Sequence, residues 1–111
     1  MASLADIVFD CAHPASLGRF WAGVLDDYEV APHDENDPAV LVVAPTGPRL
    51  FFQQVPETKS TKNRVHIDVR GPERAAEVER LVGLGASVID DGPERFTVML
   101  DPEGNEFCVM D

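Results

Sequence analysis

In the stretch RVHIDV, Arg64, His66 and Asp68 alternate with Val65, Ile67 and Val69. A period of two puts a guanidinium, an imidazole and a carboxylate on one face of a β-strand and three aliphatic side chains on the other. Such a face can be a catalytic metal site, a ligand pocket or a wetted surface. Two more stretches offer chemistry of the same kind. DIVFDC, near the amino end, sets Asp6, Val8 and Asp10 opposite Ile7, Phe9 and Cys11. EFCVM, near the carboxyl end, sets Glu106, Cys108 and Met110 opposite Phe107 and Val109. Cys108 is a candidate nucleophile with His66 as its nearest basic partner, although the two sit on different predicted strands. His13 and His33 read as loop residues.

The elements that must position these groups follow from periodicity. DIVFDC is a predicted strand, and Pro14 opens the helix PASLGRFWAGVL, in which Leu17, Phe20, Trp21, Val24 and Leu25 share one face. YEVAP, AVLVVAP and RLFFQQVP follow as short β-rich runs. The polar segment 57–63, ETKSTKN, reads as a linker. The same order then begins again: strand RVHIDV, helix PERAAEVERLVGLG opened by Pro72 and ended by Gly85, then strands ASVID, FTVML and EFCVM. The helix should pack Val78, Leu81 and Val82 on one face. A shift of 58 (64 − 6) lays Ile7 on Val65, Phe9 on Ile67, Asp10 on Asp68, Pro14 on Pro72 and Phe20 on Val78. The chain therefore reads as an α+β protein of two βαβββ modules, 1–56 and 64–111, joined into a single domain over 1–111. Two units are too few for a solenoid, so the halves are expected to complete one another's core about a pseudo-twofold axis. DPEG supplies a turn between FTVML and EFCVM, with Pro102 and Gly104 at its bends.

Composition narrows the function classes. The chain has 111 residues, enough for a core without disulfides or a structural metal. Nine Lys plus Arg against twenty Asp plus Glu give a formal net charge of −11, which repels nucleic acid and anionic membrane surfaces. No apolar run reaches the length of a membrane span. Two cysteines without CxxC spacing, and no signal peptide ahead of them, lead us to expect a reducing, cytoplasmic setting. GLGA follows a helix and lacks the GxGxxG span of a dinucleotide fingerprint.

The duplicated βαβββ half, FW in the first helix, TKNRVHID, LGA after the second helix and DPEGNEFCV before the end together resemble the vicinal oxygen chelate superfamily and its glyoxalase-like domains. The resemblance covers nearly the whole chain. It implies sheets curled into cups that hold a ligand or a divalent metal, in a superfamily that includes glyoxalase I, extradiol dioxygenases, fosfomycin-inactivating enzymes and bleomycin-binding proteins. Metal-dependent relatives place a His or Gln early in the first strand of each half and a Glu in the last. The first position falls on Asp6. In the second half it falls on Arg64 by the shift of 58, or on His66 counting back from Gly85. The Glu positions fall on Phe51, with Gln53 next on that face, and on Cys108. Phe51 has no lone pair, and a guanidinium repels a cation, so the implied site is expected to lack its metal. Asp6, His66 and Cys108 remain as an irregular ligand set, since carboxylate, imidazole and thiolate all bind zinc.

The expectation is then a metal-free, glyoxalase-like protein that binds a small organic molecule, with Asp10, Phe51, Gln53, Arg64, His66, Asp68, Glu106 and Cys108 as ligand-binding residues and Met99 and Met110 extending the apolar wall. Asp6 should approach Arg64, and Asp10 and Asp68 should form an equivalent pair. Two alternatives stay open: a metal-dependent lyase, isomerase or dioxygenase using Asp6 and His66, and a homodimeric interaction module without a ligand.

Overall fold

The computed structural model describes residues 1–92 and 95–111. These divide into two compact units, Met1–Thr58 and Lys59–Asp111. The first runs β1 (Asp6–Cys11), α1 (Pro14–Val24), β2 (Glu29–Val30), β3 (Ala39–Val43), β4 (Arg49–Gln54); the second runs β5 (Ile67–Arg70), α2 (Arg74–Leu84), β6 (Ser87–Asp90), β7 (Phe96–Leu100), β8 (Glu106–Met110). Each is a βαβββ unit with a four-stranded sheet, ordered β1-β4-β3-β2 and β5-β8-β7-β6. In both, the first strand lies parallel to the last and the remaining pairs are antiparallel. The α+β class and the two-module plan are those read from the periodicity. None of the described helices is long and apolar enough to cross a membrane.

In the first unit α1 seals one face of its sheet. Pro14 stands at the helix start, where its missing N–H costs nothing. Leu17, Phe20, Trp21 and Val24 are buried, as are Val40, Val42, Leu50 and Phe52. Phe9 stacks on Phe52 at 4.8 Å and meets Trp21 at 5.4 Å, while Phe20 stands edge-on to Trp21. The helix lies close because position 18 is glycine: a methyl group there would come within 3.3 Å of Val40 and 3.4 Å of Val42. Leu25, expected on the packed face, is only half-buried just past the helix end.

The second unit is more sparsely covered. Leu81 is the one buried residue of α2, and Val82 is 47% exposed, against the expectation that Val78, Leu81 and Val82 share a buried face. The helix is capped by Glu73, whose carboxylate accepts the N–H groups of Ala75 and Ala76 at 3.1 and 2.7 Å. It therefore starts two residues after Pro72. Gly85 ends it at φ 120°, a conformation that glycine adopts without side-chain strain. Met99 pairs with Phe107 and is fully buried beside it, so it belongs to the helix side of the sheet and not to the polar face.

The start of α2 corrects the expected duplication. The helices begin at Pro14 and Arg74 and end at Val24 and Leu84, a shift of 60 at both ends (74 − 14, 84 − 24). That shift lays Ile7 on Ile67 and Val8 on Asp68. The ladders agree, since Ile7 pairs with Leu50 and Val8 with Phe51, as Ile67 pairs with Phe107 and Asp68 with Cys108. The equivalences of Asp10 with Asp68 and of Asp6 with Arg64 fall. Asp6 corresponds to His66, and Phe51 to Cys108.

β5 also begins later than RVHIDV suggests. It starts at Ile67, and Val65, expected against α2, is 83% exposed. Glu106 explains this. Its carboxylate accepts the Asn63 N–H at 3.1 Å and its carbonyl oxygen accepts the Asn63 side-chain amide at 3.5 Å, and the chain at Arg64 and Val65 bends before the ladder begins. Segment 57–63, read as a linker, thus has its latter part tied into the second unit.

Candidate functional site

On each sheet the face opposite the helix is picked out by register. In the first unit it carries Asp6, Val8 and Asp10 of β1, beside Arg49, Phe51 and Gln53 of β4. Its polar groups are paired across the strands. Arg49 Nε donates to Asp6 Oδ1 at 2.7 Å and its Nη2 donates to Asp6 Oδ2 at 3.2 Å, a two-pronged ion pair. Gln53 Nε2 donates to Asp10 Oδ1 at 2.6 Å. Phe51 and Leu41 are register partners and bring apolar surface to the same face.

In the second unit the equivalent face carries Asp68 of β5 beside Cys108 of β8, its direct register partner. His66, just ahead of β5, places Nε2 3.0 Å from Asp68 Oδ1. Ligand atoms of His66, Asp68 and Cys108 all lie within 4.8 Å of one another. The imidazole and carboxylate are about half exposed, whereas Cys108 is 8% exposed. Burial pushes the Cys108 thiol above its ordinary pKa, the Asp68 carboxylate adds to the rise, and Lys62 pulls the other way. A thiol raised in this way is protonated at neutral pH and is a poor nucleophile.

Glu106 lies on the same side of β8, yet it is already engaged. Lys59 Nζ reaches its carboxylate at 2.9 Å, and together with the Asn63 N–H this holds its pKa down at about 2 against the desolvation that would raise it. Its role is to anchor the segment before β5. Arg64 lies outside the strand, in the bend. Of the eight predicted ligand-binding residues, Asp10, Phe51 and Gln53 share the helix-free face of the first sheet, and His66, Asp68 and Cys108 converge on that of the second. Two depressions of about 400 and 230 Å³ lie elsewhere on the first unit, lined among others by Asp27, Glu29 and Val43 and by His13, Arg19 and Gln54.

A model of the glyoxalase-like domain matches residues 6–110. This chain belongs to the glyoxalase-like domain family. Solved structures place it in the wider glyoxalase/bleomycin resistance/dioxygenase fold, the vicinal oxygen chelate fold. A family enzyme from Burkholderia phytofirmans PsJN superposes with a TM-score of 0.75 at 16% identity, covering 97% of each chain. The fosfomycin resistance protein FosX from Mesorhizobium loti gives 0.75 at 15% identity, covering 99% of this chain and 91% of its own. A variant of FosX from Listeria monocytogenes, in complex with Mn(II) and 1S,2S-dihydroxypropylphosphonic acid, gives 0.76 at 14% identity, covering 99% and 90%. No curated protein matches the sequence.

The shift of 60 lays Asp6 on His66 and not on Arg64, while the ladders, in which Phe51 faces Val8 and Cys108 faces Asp68, lay Phe51 on Cys108. Of the set Asp6, His66 and Cys108, Asp6 fits a metal poorly, because the Arg49 guanidinium on its two oxygens already compensates the carboxylate charge and would repel a cation. The chemistry of the second sheet does fit one: imidazole, carboxylate and thiol are all metal donors. Sequence reasoning counted Asp68 as a ligand-binding residue without adding it to the metal set. The spacing of His66 and Asp68, two apart, was the available signal. Arg49 gave none, since it meets Asp6 only through the pairing of two strands, 43 positions apart in the chain.

Proposed function

We propose that this glyoxalase-like protein binds a small organic molecule on the helix-free faces of its sheets, without using the two-module metal set of its metal-dependent relatives. The observation that carries the reading is the makeup of those faces. Phe51, Leu41 and Val8 on one sheet, and Met110 and Val98 on the other, share these faces with a few polar groups: the Asp10–Gln53 pair and the His66–Asp68–Cys108 cluster. Apolar walls with a small number of oriented polar groups are the usual composition of small-molecule sites. Engagement of Asp6 by Arg49 supports the absence of the two-module metal. Asp10 and Asp68 favour ligands that are cationic or rich in hydrogen-bond donors, and Phe51 favours aromatic ones.

The test has two arms. Protein purified without an affinity tag is denatured and its supernatant is analysed by mass spectrometry for a retained molecule. In parallel, metal-stripped protein is melted against a panel of aromatic and cationic metabolites and antibiotics. A saturable rise in Tm that Gln53→Ala or His66→Asn abolishes, while either variant alone melts like the wild type, is the expected result. Neither a retained molecule nor a saturable shift, in a chain that self-associates, would instead make it an interaction module.

A further inference from the structure

We infer that His66, Asp68 and Cys108 form a cation site carried wholly by the second unit and selective for zinc and other thiophilic divalent ions over manganese and magnesium. The inference goes beyond ligand binding and does not depend on it. Its basis is convergence. One ring nitrogen, one carboxylate oxygen and one sulfur lie within 4.8 Å of one another, with the nitrogen and oxygen 3.0 Å apart. Two of the three donors are set by sheet register, because Asp68 and Cys108 face each other across the parallel ladder of β5 and β8. The third, His66, precedes the ladder and is brought to Asp68 by the 3.0 Å contact between them.

Zinc bonds of about 2.0 to 2.3 Å at tetrahedral angles put donor atoms roughly 3.3 to 3.7 Å apart. The cluster has to contract by about an ångström at its widest, a movement that rotation of two half-exposed side chains, His66 and Asp68, supplies without disturbing the ladder. The sulfur decides which ion is held. The ion displaces the Cys108 proton to solvent, and the resulting thiolate is a soft donor, whereas manganese and magnesium favour sets of oxygen ligands. Three protein donors leave a fourth tetrahedral position for water or a bound molecule. The set differs from the two-module arrangement in its third ligand. There the first module would supply Asp6, which Arg49 holds; here Asp68 takes the place on the same sheet. Lys62, whose charge acts on the same thiol, opposes the ion and weakens the site.

The full-length chain, untagged and stripped with chelator, is titrated with zinc, cadmium, cobalt(II), manganese and magnesium chlorides. Cadmium and cobalt(II) should each develop a thiolate-to-metal charge-transfer absorption that saturates at one ion per chain, and excess zinc should quench it. Cys108→Ser should abolish the band. His66→Gln and Asp68→Asn should each weaken zinc by more than about tenfold, the loss that even an outer-shell partner can cause. Asp6→Asn should leave affinity within about twofold, and Lys62→Gln should tighten it. Manganese and magnesium should neither give a band nor displace cadmium. Circular dichroism of each variant separates a lost ligand from a lost fold. The inference is overturned if no band appears, if zinc binds equally well after Cys108→Ser, or if Asp6→Asn costs as much as Asp68→Asn.

Discussion

Glu106, expected among the ligand-binding residues, is engaged within the chain by Lys59 and Asn63. Its carboxyl has a pKa of about 2 in the folded chain against an ordinary 4.5, chiefly because the Lys59 ammonium donates to it. A carboxyl whose folded value is depressed contributes stability that is fully present above its unfolded pKa and is lost as pH falls through the folded one. Stability should therefore fall as pH drops from about 4.5 towards 2. Glu106→Gln should be less stable than the wild type at pH 6 and should lose less on acidification, measured as urea midpoints at pH 6, 4 and 3. Parallel losses in the two proteins would show that Glu106 is not the group responsible. The Asp6–Arg49 pair should behave differently. Both partners are partly exposed, so Arg49→Gln should cost no more than about 1 kcal/mol in a denaturant titration.

At the scale of elements, the strands and helices were legible where local chemistry decides them. Pro14 starts α1, Gly85 ends α2, and the DPEGN turn is what its residues suggest: Asp101 is buried and its carboxylate accepts the N–H groups of Glu103 and Asn105. Contacts distant in the chain decided the rest. The start of β5 depends on Glu106 holding Asn63 across 43 positions, and no local pattern encodes that. The start of α2 was misread because Pro72 suits a first helical position, whereas the helix is capped by Glu73, a residue outside the favoured Ser, Thr, Asp and Asn. That error of two residues carried the duplication shift, and with it the wrong partners for Asp10 and Arg64. Unequal coverage of the two helices gives a direct test. Phe20→Ala in α1 should destabilise by about 3 to 5 kcal/mol, whereas Val82→Ala, on the open side of α2, should stay within about 0.5 kcal/mol. Equal effects in thermal melts would mean that α2 is covered in solution.

For the molecule as a whole, charge is the dominant global property. A formal net charge of −11 on 111 residues opposes any compact state through self-repulsion, and the ion pairs do not reduce it, because the nine basic groups are already counted in that figure. Raising sodium chloride from about 10 to 150 mM shortens the screening length from about 30 to 8 Å. Tm should rise over that range by a few degrees, measured by calorimetry with the buffer held constant. A fall would mean that the surface ion pairs outweigh the repulsion. Membership of the glyoxalase-like domain family sets the scaffold on which these charges sit. On the proposed reading, what the scaffold binds depends on a few positions, among them Phe51 and Cys108, which stand where the resemblance to metal-dependent relatives would place Glu.

β6 lies at one end of the second sheet, and its pairing with β7 slips: Val88 faces Met99 and Asp90 faces Val98, so Ile89 is an extra residue, 53% exposed. A bulge of this kind bends the outermost strand and spoils the regular row of donors and acceptors that a second chain would need to add on. The irregularity is thus a guard against fibril-like assembly. Deleting Ile89 would restore an even ladder, and the shortened protein should fold but aggregate at concentrations the parent tolerates, as followed by light scattering and thioflavin fluorescence.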